Sequence, residues 1–449
     1  MKRKKFRITG WQYLAVGYLI AILTGSALLM IPAATAEGES TSYLGALFTA
    51  ASATSITGLS PYNTGTHWTG FGQAIILIFA QMGGLGFMVF VTVAFMVLGK
   101  GMGLGSRNAL MTDAGMKNLS SIRALVKKIV ILTLLFELLG AALLAIRFVE
   151  DFGWGRGIWF SIWHSVMAVC NAGFDLMGSV GSDSLTAYAT DPLVVLTISG
   201  LIILGGLGFY VWGDVIDCRG RFRKFQLNTK TVLVVSLTLL TVGTVLYTAF
   251  DWNLPAYEQY TAGERVLISF FNSVTARTAG FFVVNPSSLS DSGYLLTLVL
   301  MFIGGGTGST AGGIRVGTFA VIIMGMLAVF RGNKDINLGK KRIEYSLLSQ
   351  ALAIFAACLM IVISATLVIC AIETGSDLTF REILFECVSS LSTTGLSLGA
   401  TARLSAGSQV IAILLMYMGR VGILTLAFAL TKKHSQNAIR KPVDTLLIG

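Results

Sequence analysis

The chain has 449 residues, of which 54% are hydrophobic and only 12% are charged, and its mean hydropathy is +0.76. A soluble domain carries about 25% charged residues, so this composition excludes an ordinary soluble protein. The formal net charge of +11 does not by itself indicate nucleic-acid binding, because membrane proteins concentrate Lys and Arg in their cytoplasmic loops.

Eight segments are apolar over the roughly 20 residues that a helix needs to cross a bilayer. The sequence therefore predicts eight spans surrounded by membrane lipid. The first span follows a basic N-terminus, but it continues beyond the small residues at Gly25–Ala27, so we expect it to be retained rather than cleaved as a signal peptide. The predicted spans are Trp11–Ile31, Gln73–Leu98, Ile129–Phe148, Leu193–Val215, Val232–Phe250, Leu295–Phe330, Leu347–Ile372 and Val410–Leu430.

The loops between these spans differ in charge. When they are assigned alternately to the two sides of the membrane, one side holds 25 of the 33 Lys and Arg residues and the other holds six. Of the 22 Asp and Glu residues, 15 lie on the side that is poor in Lys and Arg. The rule that cytoplasmic loops are rich in Lys and Arg then predicts that both termini are cytoplasmic. An acidic outer side would also concentrate cations at the entrance.

Four apolar segments on the predicted outer side are only 12 to 14 residues long, too short to cross the bilayer. This length is expected of re-entrant half-helices. A glycine follows each segment at the same place in a short turn, and these glycines are separated by 115, 107 and 115 residues. The segments are Tyr43–Ser55, Gly157–Cys170, Glu264–Ala276 and Phe380–Leu391, and the glycines are Gly58, Gly173, Gly280 and Gly395.

The recurrence predicts four copies of a helix, pore loop and helix. We expect an all-α integral membrane fold, with eight spans and four re-entrant half-helices around a pseudo-fourfold pore. The alternative that the glycines only pack helices together does not explain why each one lies at the same position in the turn after a half-length segment. The expected divisions are residues 11–98 for repeat 1, 126–216 for repeat 2, 229–330 for repeat 3, 346–430 for repeat 4 and 431–449 for a cytoplasmic tail.

A ring of four such turns suits a dehydrated monovalent cation, because rings of backbone carbonyls can replace the water oxygens around potassium. Glycine permits the backbone angles that this arrangement needs. We therefore predict an ion-binding filter in which potassium is the only bound metal. Its residues are Ser55, Ile56, Thr57, Gly58, Cys170, Asn171, Ala172, Gly173, Arg277, Thr278, Ala279, Gly280, Ser392, Thr393, Thr394 and Gly395.

Other chemistry is not indicated. The five cysteines and three histidines are scattered without the spacing of metal ligands or of a disulfide framework. No paired acids or Ser, His and Asp set suggests an enzyme, and no covalent cofactor is expected. Glu137 is the one acid within a predicted span. Pairing with Arg147 or a basic loop residue is favoured over proton transfer, since one carboxylate does not make a relay.

The glycine turns and the four repeats resemble the Trk/Ktr/HKT superfamily of potassium transporters over essentially the whole chain. With eight spans, the chain is most similar to the bacterial KtrB membrane subunit. The resemblance implies potassium uptake across the bacterial plasma membrane, a homodimer and a separate cytoplasmic ring of KtrA-like subunits. A nucleotide (ATP, ADP or NAD) would bind only to that ring, and Na⁺ is a candidate activator. A sodium or ammonium permease, and a membrane enzyme or receptor of another class, remain as alternatives.

The third repeat has a glycine-rich interruption in its last span, with six glycines in the ten residues Gly304–Gly313. Such a run disfavours a continuous helix. A phosphate-binding loop is disfavoured, because the run lacks the Lys that such a loop requires. Close packing of helices through small residues is a second alternative. The family resemblance favours an intramembrane gate below the filter, made of Gly304, Gly305, Gly306, Thr307, Gly308, Ser309, Thr310, Ala311, Gly312 and Gly313.

Arg420 occupies the matching position in the fourth repeat and is also assigned to the gate. An arginine inside a span usually faces a cavity or a partner. We expect it to contact carbonyls of the loop or the hydroxyls of Ser309 and Thr310. The alternative is that its long side chain reaches the cytoplasmic interface.

Overall fold

A computed structural model describes residues 10–86, 89, 122–333, 335–338, 341–423 and 425–426. Several predicted features lie outside these residues. They are the basic N-terminus, most of the loop Lys100–Lys128, the end of the span Gln73–Leu98, the last residues of the span Val410–Leu430 and the tail 431–449.

Each repeat begins with a long apolar helix that leads to a shorter pore helix. The long helices are Gly10–Leu29, the first part of Ile122–Cys170, Leu227–Asp251 and Tyr345–Ile372. The pore helices are Tyr43–Ser55, the last part of Ile122–Cys170, Ala262–Thr275 and Phe380–Ser392. The four long helices are long and apolar enough to cross a membrane.

A second helix completes each repeat. The second helices are Gly70–Leu85, Pro192–Leu207 continued by Phe209–Asp217, Asp291–Phe302 continued by Val316–Phe330, and Ala406–Val421. Together with the long helices they give the predicted pattern of eight spans. The other elements are a short helix Thr64–His67, an antiparallel hairpin of Ile336–Leu338 with Lys341–Ile343, and the 3₁₀ turns Pro32–Ala34, Met177–Val180, Thr186–Tyr188, Phe222–Lys224, Pro255–Tyr257, Pro286–Ser288 and Thr401–Arg403.

Polar residues fix where the pore helices begin. Ser42 accepts a hydrogen bond from the Gly45 amide at the start of the first pore helix. The third and fourth begin with capping boxes, Thr261 with Glu264 and Thr379 with Glu382. These side chains satisfy amides that have no partner inside the helix, so these three short helices have a defined start.

The repeats close into a ring. The second helix of each repeat packs against the pore helix of the next, and Ala406–Val421 of repeat 4 returns to Tyr43–Ser55 of repeat 1. The pore helices are consequently well buried: ten of the 13 residues in Tyr43–Ser55 are buried. This closure places the four glycine turns at the centre.

The second helices are interrupted in all four repeats, whereas the sequence indicated an interruption only in the third. Gly86, Gly208 and Gly422 end the helical segments with φ angles of 86°, 97° and 88°. At Gly208 the two halves of the helix are bent by 89°. The prediction of continuous helices through these positions is therefore wrong. Glycine allows the helix to end there, because φ angles in this range are accessible chiefly to glycine.

The third span and the second pore helix run into each other at a kink. Gly153 lies there with φ 76° and ψ 170°, a combination that is essentially restricted to glycine. A Cβ atom at Gly153 would meet nothing within 4 Å, and the same is true at Gly155, which has ordinary φ. Both positions therefore have room for a side chain, and only Gly153 has a backbone conformation that a side chain would strain.

Replacing Gly153 with Ala is expected to destabilise the protein by about 1–3 kcal/mol, because the backbone conformation is strained for any other residue. Gly155→Ala, the matched control, should be neutral or slightly stabilising, since alanine favours a helix. The melting temperature of the detergent-solubilised protein measures both. Equal melting temperatures for the two variants would contradict the kink geometry.

Candidate functional site

The four predicted filter glycines face one another around a common centre. A Cβ on Gly58 would lie 2.5 Å from the Ala172 carbonyl oxygen, and a Cβ on Gly173 would lie 3.0 Å from that of Ala279. A Cβ on Gly280 would lie 2.7 Å from the Thr394 carbonyl oxygen. A Cβ on Gly395 would collide with the Thr57 carbonyl oxygen, which closes the ring. Each glycine thus adjoins the carbonyl before the next glycine, and no side chain fits between them.

The residue two positions before each glycine has a left-handed backbone. The φ angles are 57° at Ile56, 54° at Asn171, 68° at Thr278 and 50° at Thr393. Such angles are rare for a β-branched residue, and three of these four are β-branched. Strain of this kind persists only where the surroundings determine the conformation, which indicates tightly supported turns.

Hydroxyl groups support the turns of repeats 1 and 4 in the same way. The amide of Gly58 donates to Ser52 Oγ at 3.0 Å, and the amide of Gly395 donates to Ser389 Oγ at 3.1 Å. A second pair of hydroxyls lies within each turn, Ser55 with Thr57 at 2.7 Å and Ser392 with Thr394 at 2.8 Å. Repeats 1 and 4, which adjoin in the ring, are nearly equivalent here.

The turn of repeat 3 is built differently. The Ala279 amide bonds to the Thr275 carbonyl four residues earlier, whereas the corresponding bond spans five residues in the other repeats. The Arg277 side chain is buried, and its guanidinium donates to the carbonyl and hydroxyl of Ser236 on the long helix of the same repeat. Only the backbone of Arg277 is therefore available to the pore.

The turn of repeat 2 contacts neighbouring helices through Cys170. The Cys170 thiol donates to Gln81 Oε1 at 3.1 Å, and Gln81 Nε2 donates to Glu137 Oε1 at 2.7 Å. The expected pairing of Glu137 with Arg147 is wrong: the two lie ten residues apart, about 15 Å along a helix. Arg147 instead pairs with Glu150, Asp151 and Asp191.

A polar cavity lies over one side of the glycine ring. Its lining includes Gly58, Gly173 and Gly395 together with Asp175 and Asp183. Burial, reinforced by the neighbouring Asp183, raises the pKa of the Asp175 carboxyl to about 6. We call this cavity the mouth. Its two carboxyl groups give it the charge that attracts cations.

The glycine-rich segment of repeat 3 lies on the other side of the ring as a non-helical loop between Phe302 and Val316. Its backbone bonds to the second helix of repeat 2: Gly306 donates to Gly206 at 2.8 Å and Phe209 donates to Gly308 at 3.0 Å. A Cβ on Gly312 would lie 2.5 Å from the Ser392 carbonyl and collide with Thr393. The loop therefore touches the predicted filter turn of repeat 4 directly.

Arg420 bridges three repeats. From the second helix of repeat 4 its guanidinium donates to the Thr310 carbonyl of repeat 3 at 3.0 Å and to the Gly83 carbonyl of repeat 1. Repeats 1 and 3 are opposite each other in the ring, so a side chain that binds both must lie across the central path. It lines a cleft together with Gly308, Ser309 and Arg315.

Arg315 is a residue to which sequence reasoning gave no role. It donates to the carbonyls of Gly306 and Ala311 and to the Ser309 hydroxyl, so it holds the loop in a closed curve. The sequence signal was its position two residues after the glycine-rich run. Gln81 was missed as well, because its partners lie 56 and 89 residues away.

These features define a multi-pass membrane protein with a ring of pore loops, and comparison with known proteins agrees with that class. The family model for cation transport proteins of the TrkH type matches residues 9–441. The chain belongs to this TrkH family of cation transport proteins. The potassium transporter TrkH of Vibrio parahaemolyticus has the same fold, with a TM-score of 0.72 at 18% identity over 96% of this chain and 86% of that one.

Relatives of similar length are closer in sequence. The chain is 37% identical to the potassium/sodium uptake protein NtpJ of Enterococcus hirae over 100% of this chain and 99% of the relative. It is 38% identical to the Ktr system potassium uptake protein B of Bacillus subtilis over 99% of this chain and 98% of that protein. The corresponding protein of Vibrio alginolyticus is 36% identical over 100% and 97%.

Proposed function

We propose that this chain is the translocating subunit of a potassium uptake system and conducts K⁺ through a gated pore. The observation that carries the proposal is the closed ring in which each of the four glycines adjoins a carbonyl of the next repeat. The names of the relatives as potassium uptake proteins support it.

The ring suits K⁺ because the ion must exchange its water for oxygens at similar distance. The carbonyls of Thr57, Ala172, Ala279 and Thr394 would supply that ring, with the preceding turn residues below it. Ions would gather at the acidic mouth and pass through the ring down their electrochemical gradient. The turns differ in how they are supported, so we expect discrimination between K⁺ and Na⁺ to be moderate.

The loop Gly304–Gly313 and Arg420 would form the gate. The loop lies directly under the ring, and the Arg420 guanidinium places a positive charge across the path of a cation. Opening then requires this side chain to leave at least one of its two carbonyl partners. Arg315 would move with the loop, since it donates to the Gly306, Ser309 and Ala311 oxygens of that loop.

The distribution of Lys and Arg supports an orientation with the mouth outside the cell and the gate toward the cytoplasm. The name of the Ktr system relative supports assembly with other subunits. We propose a homodimer in the bacterial plasma membrane that binds a KtrA-like ring of nucleotide-binding subunits on the cytoplasmic side. Na⁺ would act as an activator.

Reconstituted vesicles test the transport function. We expect uptake of ⁸⁶Rb⁺ or K⁺ into vesicles that contain the purified chain together with its cytoplasmic partner, with smaller uptake of Na⁺, and rescue of growth in a cell deficient in potassium uptake. Equal or greater permeability to Na⁺ or ammonium would support a permease for those ions instead. Absence of any cation flux with the cytoplasmic partner present would contradict both.

Asp175 predicts a dependence on the pH at the mouth. Because the pKa of its carboxyl is about 6, it is charged at pH 7.5 and mostly neutral at pH 5. Acidifying the mouth side should therefore weaken the apparent affinity for K⁺ about two- to fivefold, an effect of up to about 1 kcal/mol. Asp175→Asn should have the weak affinity at both pH values.

Glu150→Gln serves as the control for this experiment. It removes an exposed carboxylate that pairs with Arg147, and the affinity should still change with pH. A pH response in Asp175→Asn equal to that of the unmodified protein would assign the effect to another group.

A further inference from the structure

The turn of repeat 2 has no counterpart of the hydroxyl pairs that support repeats 1 and 4. Where those turns carry Ser and Thr, this turn carries Cys170 and Ala172. Cys170 is 1% exposed and its thiol points to Gln81 on the second helix of repeat 1. Support from a different repeat thus replaces part of the support within the turn.

Glu137 determines how Gln81 is oriented. Its Oε1 accepts from the Gln81 amide nitrogen at 2.7 Å, which turns the Gln81 oxygen toward the thiol of Cys170 at 3.1 Å. A carboxylate accepts but does not donate, and a thiol is the donor that the amide oxygen needs. Reversing the amide would set its oxygen against the Glu137 carboxylate and leave the sulfur as only a weak acceptor, so the chain of three residues favours one direction, from Glu137 through Gln81 to Cys170.

The cost of burying Glu137 indicates that it has a role. It is only 6% exposed, in the middle of an apolar helix. An ionisable group at that depth is costly unless it is paired or hydrogen-bonded, and a hydrophobic residue would pack there without such a cost. Holding the polar end of Gln81 accounts for its presence.

The three residues also adjoin the segment that contacts the gate arginine. Gly84, three residues after Gln81, packs so closely on Cys170 that a Cβ would lie 2.5 Å from the sulfur. Gly83 between them gives its carbonyl to Arg420. A shift of Cys170 would therefore be resisted by the same short segment that holds the gate arginine.

We propose that Glu137 is a positioning residue for the turn of repeat 2: through Gln81 it fixes Cys170 and thereby sharpens the preference for K⁺ over Na⁺. The inference rests on the proposed role of the four turns as the filter. It adds to that proposal a residue on the third span, outside the pore loops, which acts on selection without contact with the ion.

The test compares K⁺/Na⁺ permeability ratios, from reversal potentials of the chain with its cytoplasmic partner in planar bilayers or vesicles. Glu137→Leu should lower the ratio about three- to tenfold. Glu137→Gln should keep most of it, because the amide oxygen still accepts from Gln81. Gln81→Leu should match Glu137→Leu, and the double variant should be no worse than either, since all remove the same link.

Thr133→Val is the matched control. Thr133 is buried one turn before Glu137, and among the described residues its hydroxyl bonds only within its own helix, to the Ile129 carbonyl at 2.9 Å. Its ratio should equal that of the unmodified chain. Melting temperature and elution from a sizing column show which variants fold. If Glu137→Leu does not fold, Cys170→Ala against Cys170→Ser tests the same link from its other end, with the ratio lost only in the former.

An unchanged ratio in folded Glu137→Leu, or an equal loss in Glu137→Gln, would overturn the positioning role. Gly58→Ser in the same bilayers separates this failure from failure of the filter assignment. If Gly58→Ser changes the ratio and Glu137→Leu does not, only the role of Glu137 is rejected. If neither changes it, the four turns are not the filter.

Discussion

Gly395→Ser is expected to lower the K⁺/Na⁺ permeability ratio at least tenfold. A Cβ at this position collides with the Thr57 carbonyl, and φ is 91°, a conformation that other residues rarely adopt. The new atom must push aside an oxygen of the proposed ring. A loss of about 1.4 kcal/mol in the differential binding of the two ions is already a factor of ten.

The four glycines should differ in a graded way. Gly58 and Gly280 would place a Cβ 2.5 Å and 2.7 Å from a carbonyl oxygen, whereas Gly173 leaves 3.0 Å. We therefore expect serine at Gly58 or Gly280 to lower the ratio strongly and serine at Gly173 to lower it least. Reversal potentials under bi-ionic conditions measure each ratio.

Gly200→Ser is the control for this series. Gly200 lies in the second helix of repeat 2, and a Cβ there meets nothing within 4 Å. It adds the same atoms in the same membrane without touching the ring, so the ratio should not change. An unchanged K⁺/Na⁺ permeability ratio in Gly395→Ser, with normal flux, would contradict the proposed role of the ring as the filter.

The sequence predicts the glycine ring well because its signal is repeated four times at nearly constant spacing. One glycine in an apolar segment is ambiguous, but four in register after half-length helices are not. The same reasoning finds the loop of repeat 3, since its six glycines exceed what helix packing requires.

The breaks at Gly86, Gly208 and Gly422 could not be predicted in this way. Glycine is common in membrane helices as a packing residue, and its φ angle is set by the neighbouring segments. The contact of Gly208 with the Thr307 carbonyl of the loop, where a Cβ would lie at 2.8 Å, shows such a neighbour. Long-range pairing explains the missed Gln81 as well, since nothing local in the sequence links it to Cys170.

Arg420→Ala is expected to raise the basal flux of K⁺ by a factor on the order of 100. In the present conformation the guanidinium donates to the Thr310 and Gly83 carbonyls. Hydrogen bonds from a charged group are worth about 1.5–3 kcal/mol each. Losing about 3 kcal/mol from the closed state shifts the equilibrium between closed and open states about 100-fold toward the open state. Removing the positive charge from the path favours the cation further.

Arg156→Ala provides a matched control. Arg156 also makes two hydrogen bonds, to the carbonyl and hydroxyl of Ser179, but it lies on the exposed start of the second pore helix. Its loss should leave basal flux unchanged. Flux is measured in vesicles without the cytoplasmic partner, where the unmodified chain is expected to be closed. Deleting Gly304–Gly313 should raise the flux in the same way, because it removes the Thr310 acceptor together with the loop. If both changes leave a folded protein closed, the barrier lies elsewhere in the path.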